Sequence, residues 1–247
     1  MVQNAESTKG CVIIFGAGSG TGAEIAKLFA SHGHPVVVSR RDASALGALV
    51  KTIDAAKGRA LGAAADATNA AQVTGVFETA LATYGVPEVV VFNAAGFARA
   101  SIVETAPDAF ETLWRATAFG GFVVGREAAK HMLPVGKGTI LFTGATAAVK
   151  ASANFGAFAS GKHGLRAVAQ SMAKEFAPQG VHVAHVIIDG IIDVPRVREQ
   201  MPELVAQKGE AGLINPRSIA ETFYWLHSQP RDAWTFELDL RPFREPW

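Results

Sequence analysis

At 247 residues, with 49% hydrophobic and 18% charged residues, the chain has apolar material for a large buried core and too little charge to stay disordered. A net charge of +1, with Lys and Arg scattered along the sequence, leaves no basic footprint for nucleic acid or an anionic membrane surface. The lone cysteine, Cys11, excludes an intramolecular disulfide and fits a reducing compartment.

In chain order, the opening MVQNAESTKG lacks the apolar stretch of a signal peptide. No run of about 18 apolar residues could span a bilayer, so the expectation is a cytoplasmic protein without a membrane partner. Short apolar runs then recur at Val12 to Phe15, Val36 to Val38, Ala60 to Ala64, Val89 to Phe92, Thr139 to Phe142 and Val181 to Ile188. Runs so short and so uniformly apolar predict strands buried on both faces of a parallel sheet. Between them, Ala23 to Ser31, Ala70 to Tyr84, Pro107 to Met132 and Gly156 to Phe176 carry helical signals. The alternation predicts an α/β fold: one doubly wound, Rossmann-type, mostly parallel sheet with helices on both faces. Without a linker, charge block or repeat, residues 1–247 are expected to form a single domain. Residues 193–215, punctuated by Pro195 and Pro202 and followed by Pro216, come straight after the last long apolar strand. Ligands lie outside the carboxyl ends of strands in such sheets, so this segment is expected to cover a site.

The first strand runs into Gly16-Ala17-Gly18-Ser19-Gly20-Thr21-Gly22, which opens the first helix. Glycine lets backbone approach a pyrophosphate, and a helix N-terminus supplies free N–H groups and positive dipole. A loop of this kind between a strand and a helix predicts dinucleotide binding. At the end of the second strand, where a carboxylate would accept from an NAD ribose, the sequence has Ser39-Arg40-Arg41. Guanidinium groups suit a 2′-phosphate, so NADP(H) is expected over NAD(H).

These features resemble the short-chain dehydrogenase/reductase family, over most of the chain. Gly16, Gly20 and Gly22 match its Gly-x-x-x-Gly-x-Gly spacing. Asp66, followed by Ala67, resembles the family's adenine-binding aspartate, and Asn93-Ala94-Ala95-Gly96 is similar to its Asn-Asn-Ala-Gly turn. The resemblance implies that these residues hold the cofactor, with Lys162 on the nicotinamide ribose and backbone around Gly190 and Ile191 near the nicotinamide. It implies a homodimer or homotetramer through the segments 107–132 and 156–176.

The catalytic positions depart from the family pattern. Lys162 fits the lysine of Tyr-x-x-x-Lys, which places Phe158 at the tyrosine, Ala145 at the serine and Ala118 at the helix asparagine. Phe cannot deliver the proton that a developing alkoxide needs. The family's Pro-Gly after the sixth strand becomes Asp189-Gly190, and its downstream Thr becomes Val194. Asp189 and Asp193 are expected to cap a turn or the next helix. Thr143, Thr146 and Thr117 are nearby hydroxyls, and Thr146 is a weak substitute that would serve only if the chain has left its strand there. His32 with His34, and His182 with His185, lack metal-ligand spacing on one helix face, so no metal site is predicted. Two functions remain: an NADP(H)-dependent oxidoreductase of a small, apolar molecule with a changed proton source, or a catalytically silent NADP(H)-binding sensor or assembly partner.

Overall fold

A computed structural model describes residues 9–245. Residues 1–8, on which the expectation of no signal peptide rests, and the last two residues lie outside the described residues. Seven strands form one sheet in the order β3-β2-β1-β4-β5-β6-β7: β1 (Val12–Phe15), β2 (Val36–Arg40), β3 (Ala60–Ala64), β4 (Val89–Phe92), β5 (Gly138–Thr143), β6 (Val181–Ile188) and β7 (Glu237–Leu240). Every neighbouring pair is parallel. The order reverses between β1 and β4, which opens a crevice at their carboxyl ends.

Because side chains alternate across a strand, β1 feeds two cores. Val12 and Ile14 pack with Leu28 and Phe29 of α1 (Thr21–Ser31), Leu46 and Ile53 of α2 (Ala43–Ala55), and Ile219 and Phe223 of the last helix. Ile13 and Phe15 face the other way, toward Phe77 of α3 (Ala70–Tyr84) and a layer from the second half of the chain. Asp42 and Asn69 cap α2 and α3 by accepting from backbone N–H groups one turn in, which fixes where each helix starts.

Two expectations change, and one strand had no counterpart among the apolar runs. β3 is not buried on both faces: Gly62 and Ala64 are exposed, because β3 is an edge strand with one neighbour. β7, with Glu237 and Asp239 alternating with leucines, closes the other edge and carries no apolar run. The predicted helix 107–132 is α4 (Pro107–Trp114) and α5 (Gly120–Met132), joined by a π-helical turn at Arg115–Phe119. Such turns widen a helix by one residue and recur at functional sites.

Next comes α6 (Gly156–Phe176), whose Leu165 and Met172 pack on Phe92 and Phe142. Residues 193–215 hold two short helices, α7 (Pro195–Gln200) and α8 (Pro202–Lys208), each with proline in its first turn, before α9 (Pro216–His227). Ile192 pairs with Ile214 and closes the segment at its base. Among the described residues no helix is long and apolar enough to cross a membrane.

Candidate active site

The glycine loop lies at the sheet's reversal point. Gly16 has φ +83°, and a Cβ there would sit 2.5 Å from the Ala94 nitrogen. At Gly22 it would strike the Gly16 carbonyl oxygen. Both glycines therefore permit backbone to cross backbone inside the protein. Gly18 differs, since nothing lies within 4 Å of the Cβ it lacks. No side chain caps α1 at Gly20, which leaves the helix start available to an anion. A Cβ on Gly20 would come 2.7 Å from Val194 Cγ1, so Val194 packs directly against this loop. Ser19 is exposed and Thr21 is buried at the head of α1.

Asn93 ties the loop to the strands beside it. Its Nδ2 donates to the Gly16 carbonyl (3.0 Å), and its Oδ1 accepts from the Thr143 hydroxyl (2.9 Å). Ala94, Ala95 and Gly96 continue the turn, and the Gly96 N–H donates to Thr117 Oγ1 at 3.3 Å.

Arg40 ends β2 and Arg41 follows it, exposed. A carboxylate does stand nearby, at Asp42, with Oδ2 3.9 Å from Arg40 Nη2. Its Oδ1, however, accepts from the Ser44 hydroxyl (2.7 Å) and N–H (3.0 Å). These bonds, the hydroxyl first, hold the Asp42 carboxyl below its ordinary value. Asp66, after β3, accepts from the Thr68 N–H and hydroxyl at 2.8 Å each. Those bonds, led by the N–H, outweigh partial burial and, with Arg41 and Arg115, lower its pKa. Ala67 packs on the α3 side of the sheet.

At the far side of the crevice, Lys162 is 4% exposed and its Nζ donates to the Thr143 carbonyl at 2.7 Å. Burial pushes the ammonium down to about 8. One helical turn earlier, half-buried Phe158 meets Phe97 edge-on, ring centroids 5.1 Å apart, and Phe155 lies 6.0 Å from the same ring. Phe97 is 64% exposed and follows directly on the Asn93–Gly96 turn; it was not among the residues predicted.

Ala145 is extended (φ −161°, ψ 166°) immediately before a 3-10 turn at Thr146–Ala148. The chain has left its strand at Thr146, as a substitute hydroxyl there requires. That hydroxyl already donates to Asp189 Oδ1 at 2.5 Å. Asp189 also pairs with Arg241 (2.6 Å), which reaches Asp239 (2.8 Å). Of the two roles expected, capping a turn or the next helix, the second is not seen: Asp193 takes both guanidinium contacts of Arg198 at 2.6 Å, and α7 has Val194 at its N-cap position with no side-chain cap. Arg241 was missed because only the β6–β7 pairing brings it beside Asp189.

Ala118 lies in the π-turn. It is 2% exposed and faces α6, where a Cβ on Gly164 would come within 2.9 Å of its own. The π-turn presents Thr117, not Ala118, to the turn after β4. Gly190 packs under Pro242, and the Ile191 carbonyl accepts from Ile214 N–H at 2.8 Å.

Comparison with known proteins agrees with this architecture. The short chain dehydrogenase family model matches residues 10–204. A short chain aldehyde dehydrogenase of Euphorbia lathyris is 29% identical over 216 residues, 85% of this chain and 75% of that one. An uncharacterized oxidoreductase of Methylorubrum extorquens is 30% identical over 222 residues, 89% and 85% of the two chains. Among solved structures, a short-chain dehydrogenase from Rhodopseudomonas palustris superposes with TM-score 0.82 at 41% identity, covering 95% of this chain and 99% of that one. A metagenomic short-chain oxidoreductase in complex with NADP gives TM-score 0.80 at 25% identity, covering 94% and 96%. With a family-model match over most of its length and relatives of this identity and coverage, this chain belongs to the short chain dehydrogenase family of oxidoreductases.

Proposed function

We propose that the protein is an NADP(H)-dependent oxidoreductase of a small, apolar molecule, drawing its proton from a source other than a tyrosine. The observation that carries this reading is the open face at Gly18 beneath the uncapped start of α1, with Arg40 and Arg41 at the end of the neighbouring strand. A pyrophosphate fits the first and a 2′-phosphate the second. The NADP complex of the metagenomic relative supports the same assignment. When bound, the nicotinamide exchanges a hydride with a substrate carbon. Gly16, Gly18, Ser19, Gly20, Thr21 and Gly22 would bind the pyrophosphate, Asp66 and Ala67 the adenine, and Asn93 to Gly96, Lys162, Gly190 and Ile191 the nicotinamide half. Phe97, Phe155 and Phe158 make the adjoining wall apolar, which favours an apolar substrate. The described residues would work as one domain, covered at 193–215, in cytoplasmic homodimers or homotetramers joined through α4, α5 and α6.

One observation favours a silent NADP(H)-binding sensor or assembly partner instead. Phe158 cannot donate, and the Thr146 hydroxyl is committed to Asp189. The test is in two stages. Fluorescence titration should show tighter binding of NADPH than NADH, with the preference lost in an Arg40→Ala, Arg41→Ala double variant; equal affinities in the native protein would remove the NADP assignment. NADPH oxidation across a panel of carbonyls and enones then separates the two readings, since a silent binder turns over none of them.

A further inference from the structure

At the opposite end of the sheet from the glycine loop, His34, Glu88 and His227 meet. One ring nitrogen from each histidine and one carboxylate oxygen all lie within 4.8 Å of one another. His34 precedes β2, Glu88 precedes β4 and His227 ends α9. No spacing along one helix could have announced the group, which is why the sequence predicts no metal.

Each member is held from outside. His34 Nδ1 lies 2.8 Å from the Gly10 carbonyl oxygen. A carbonyl only accepts, so Nδ1 carries the proton and Nε2 keeps its lone pair. The Gly10 N–H donates to Glu88 Oε2 at 3.0 Å, and His227 Nδ1 lies 3.1 Å from Thr139 Oγ1. Outer bonds of this kind orient imidazoles and carboxylates that ligate metals. His34 faces Glu88 with its protonated Nδ1, 3.8 Å from Oε2 and beyond hydrogen-bond distance, so a metal ion would take either Nε2 or, by displacing the Gly10 contact and its proton, Nδ1. The one strong internal competitor is Lys137, whose Nζ is 2.7 Å from Glu88 Oε1.

We propose that His34, Glu88 and His227 form a Zn²⁺ site at the base of the sheet. Two imidazoles and a carboxylate are a donor set that zinc takes at roughly 2.0 to 2.2 Å, with water completing four ligands. Hard cations such as Mg²⁺ take oxygen ligands instead. Tetrahedral binding draws the three donor atoms to about 3.3 Å from one another. His227, half-buried at the end of α9, packs against the rings of Phe29, His34 and Tyr224, and a shift of its ring would bring the donors together. The ion would fasten the end of α9 to the starts of β2 and β4, far from Lys162, in a structural role independent of the hydride chemistry.

The test uses full-length protein stripped by a chelator, titrated with Zn²⁺ against a chromophoric competitor, with Mg²⁺ for comparison. The expected result is one Zn²⁺ per chain, weakened at least ~10-fold by His227→Gln and by Glu88→Gln, with no comparable Mg²⁺ binding. Lys137→Ala should bind zinc more tightly, because the ammonium no longer competes for Glu88. Co²⁺ added to the native protein should give the visible absorption of a tetrahedral site, a readout that needs no variant to fold. Zinc bound equally well by native protein, His227→Gln and Glu88→Gln would put the ion at another histidine and overturn the proposal. So would unchanged affinity in Lys137→Ala, or the absence of the Co²⁺ band.

Discussion

Phe158 stands one helical turn before Lys162, whose ammonium is already anchored on the Thr143 carbonyl. A general acid typically contributes about 10² to 10⁴ in rate, so simple carbonyl reduction by the native protein should fall short of its relatives by roughly that factor. Phe158→Tyr combined with Ala145→Ser should gain NADPH-dependent carbonyl reduction, measured as NADPH oxidation. Phe158→Tyr alone should gain less, because the new hydroxyl would face the Phe97 ring with no serine to align it. A double variant that folds and binds NADPH yet turns over nothing would favour the silent reading. The glycines of the loop divide in the same local way. Gly18→Val should weaken NADPH binding while leaving the urea midpoint unchanged, since its missing side chain points into open space. Gly16→Val, at φ +83° and against Ala94 backbone, should destabilise the fold by about 3 kcal/mol or more. Equal stability losses in both would mean that Gly18, too, serves the backbone.

Between elements, the contact that shapes the site is the π-turn at Arg115–Phe119 against α6. Gly164→Ala adds a methyl 2.9 Å from the Ala118 Cβ and 3.3 Å from Trp114 Nε1, neither of which can swing aside cheaply. Overpacking of about 1 to 3 kcal/mol should outweigh the ~1 kcal/mol that alanine contributes to a helix. Gly75→Ala in α3, with nothing within 4 Å, should instead stabilise by up to about 1 kcal/mol. Urea melts of both variants check the opposed signs, and a stabilised Gly164→Ala would show that the π-turn yields. The same contrast explains what was legible in the sequence. Central strands such as Val89–Phe92 are written as continuous apolar runs, and the glycine loop as a fixed spacing. β7 was not, because an edge strand needs no apolar face outward, and neither was the π-turn, whose residues continue a helical pattern. The spacing of Phe158, Ala145 and Ala118 from Lys162 could be counted, but the partners of Asp189 and the side presented by Ala118 depend on strand order and helix rotation. Those are set by packing rather than by local residue type.

Across the whole molecule, buried histidines make stability depend on pH. His185 on β6 is fully buried under α6, with Nδ1 2.9 Å from Glu237 Oε2, while Glu237 takes both contacts of Arg166 at 2.7 Å. Nε2 has no hydrogen-bond partner, so a second proton would sit buried and unbonded. Burial accordingly pushes His185 down to about 4; Lys162 and Arg166 add to the fall, and Glu237 opposes it. Burial lowers His182 as well. The unfolded chain protonates such imidazoles near 6.5, whereas the folded protein holds His185 neutral until about pH 4. Between those values the unfolded state binds more protons, so unfolding free energy falls as pH falls. The contribution of His185 is intact above about pH 6.5 and is lost progressively toward pH 4, by roughly 3 kcal/mol. Glu237, lowered first by its bond to Arg166, gives way only below the ordinary carboxylate range and does not blur this window. Urea unfolding followed from pH 7.5 down to 4.5 should show the decline, and His185→Gln, which keeps an N–H for Glu237 and cannot titrate, should lessen it, the rest coming from His227, also pushed down to about 4 by burial, and from His34 and His182. An equal slope in that variant would assign the acid sensitivity to His227, His34, His182 or carboxylates, and would mean that water reaches the edge between α6 and β7.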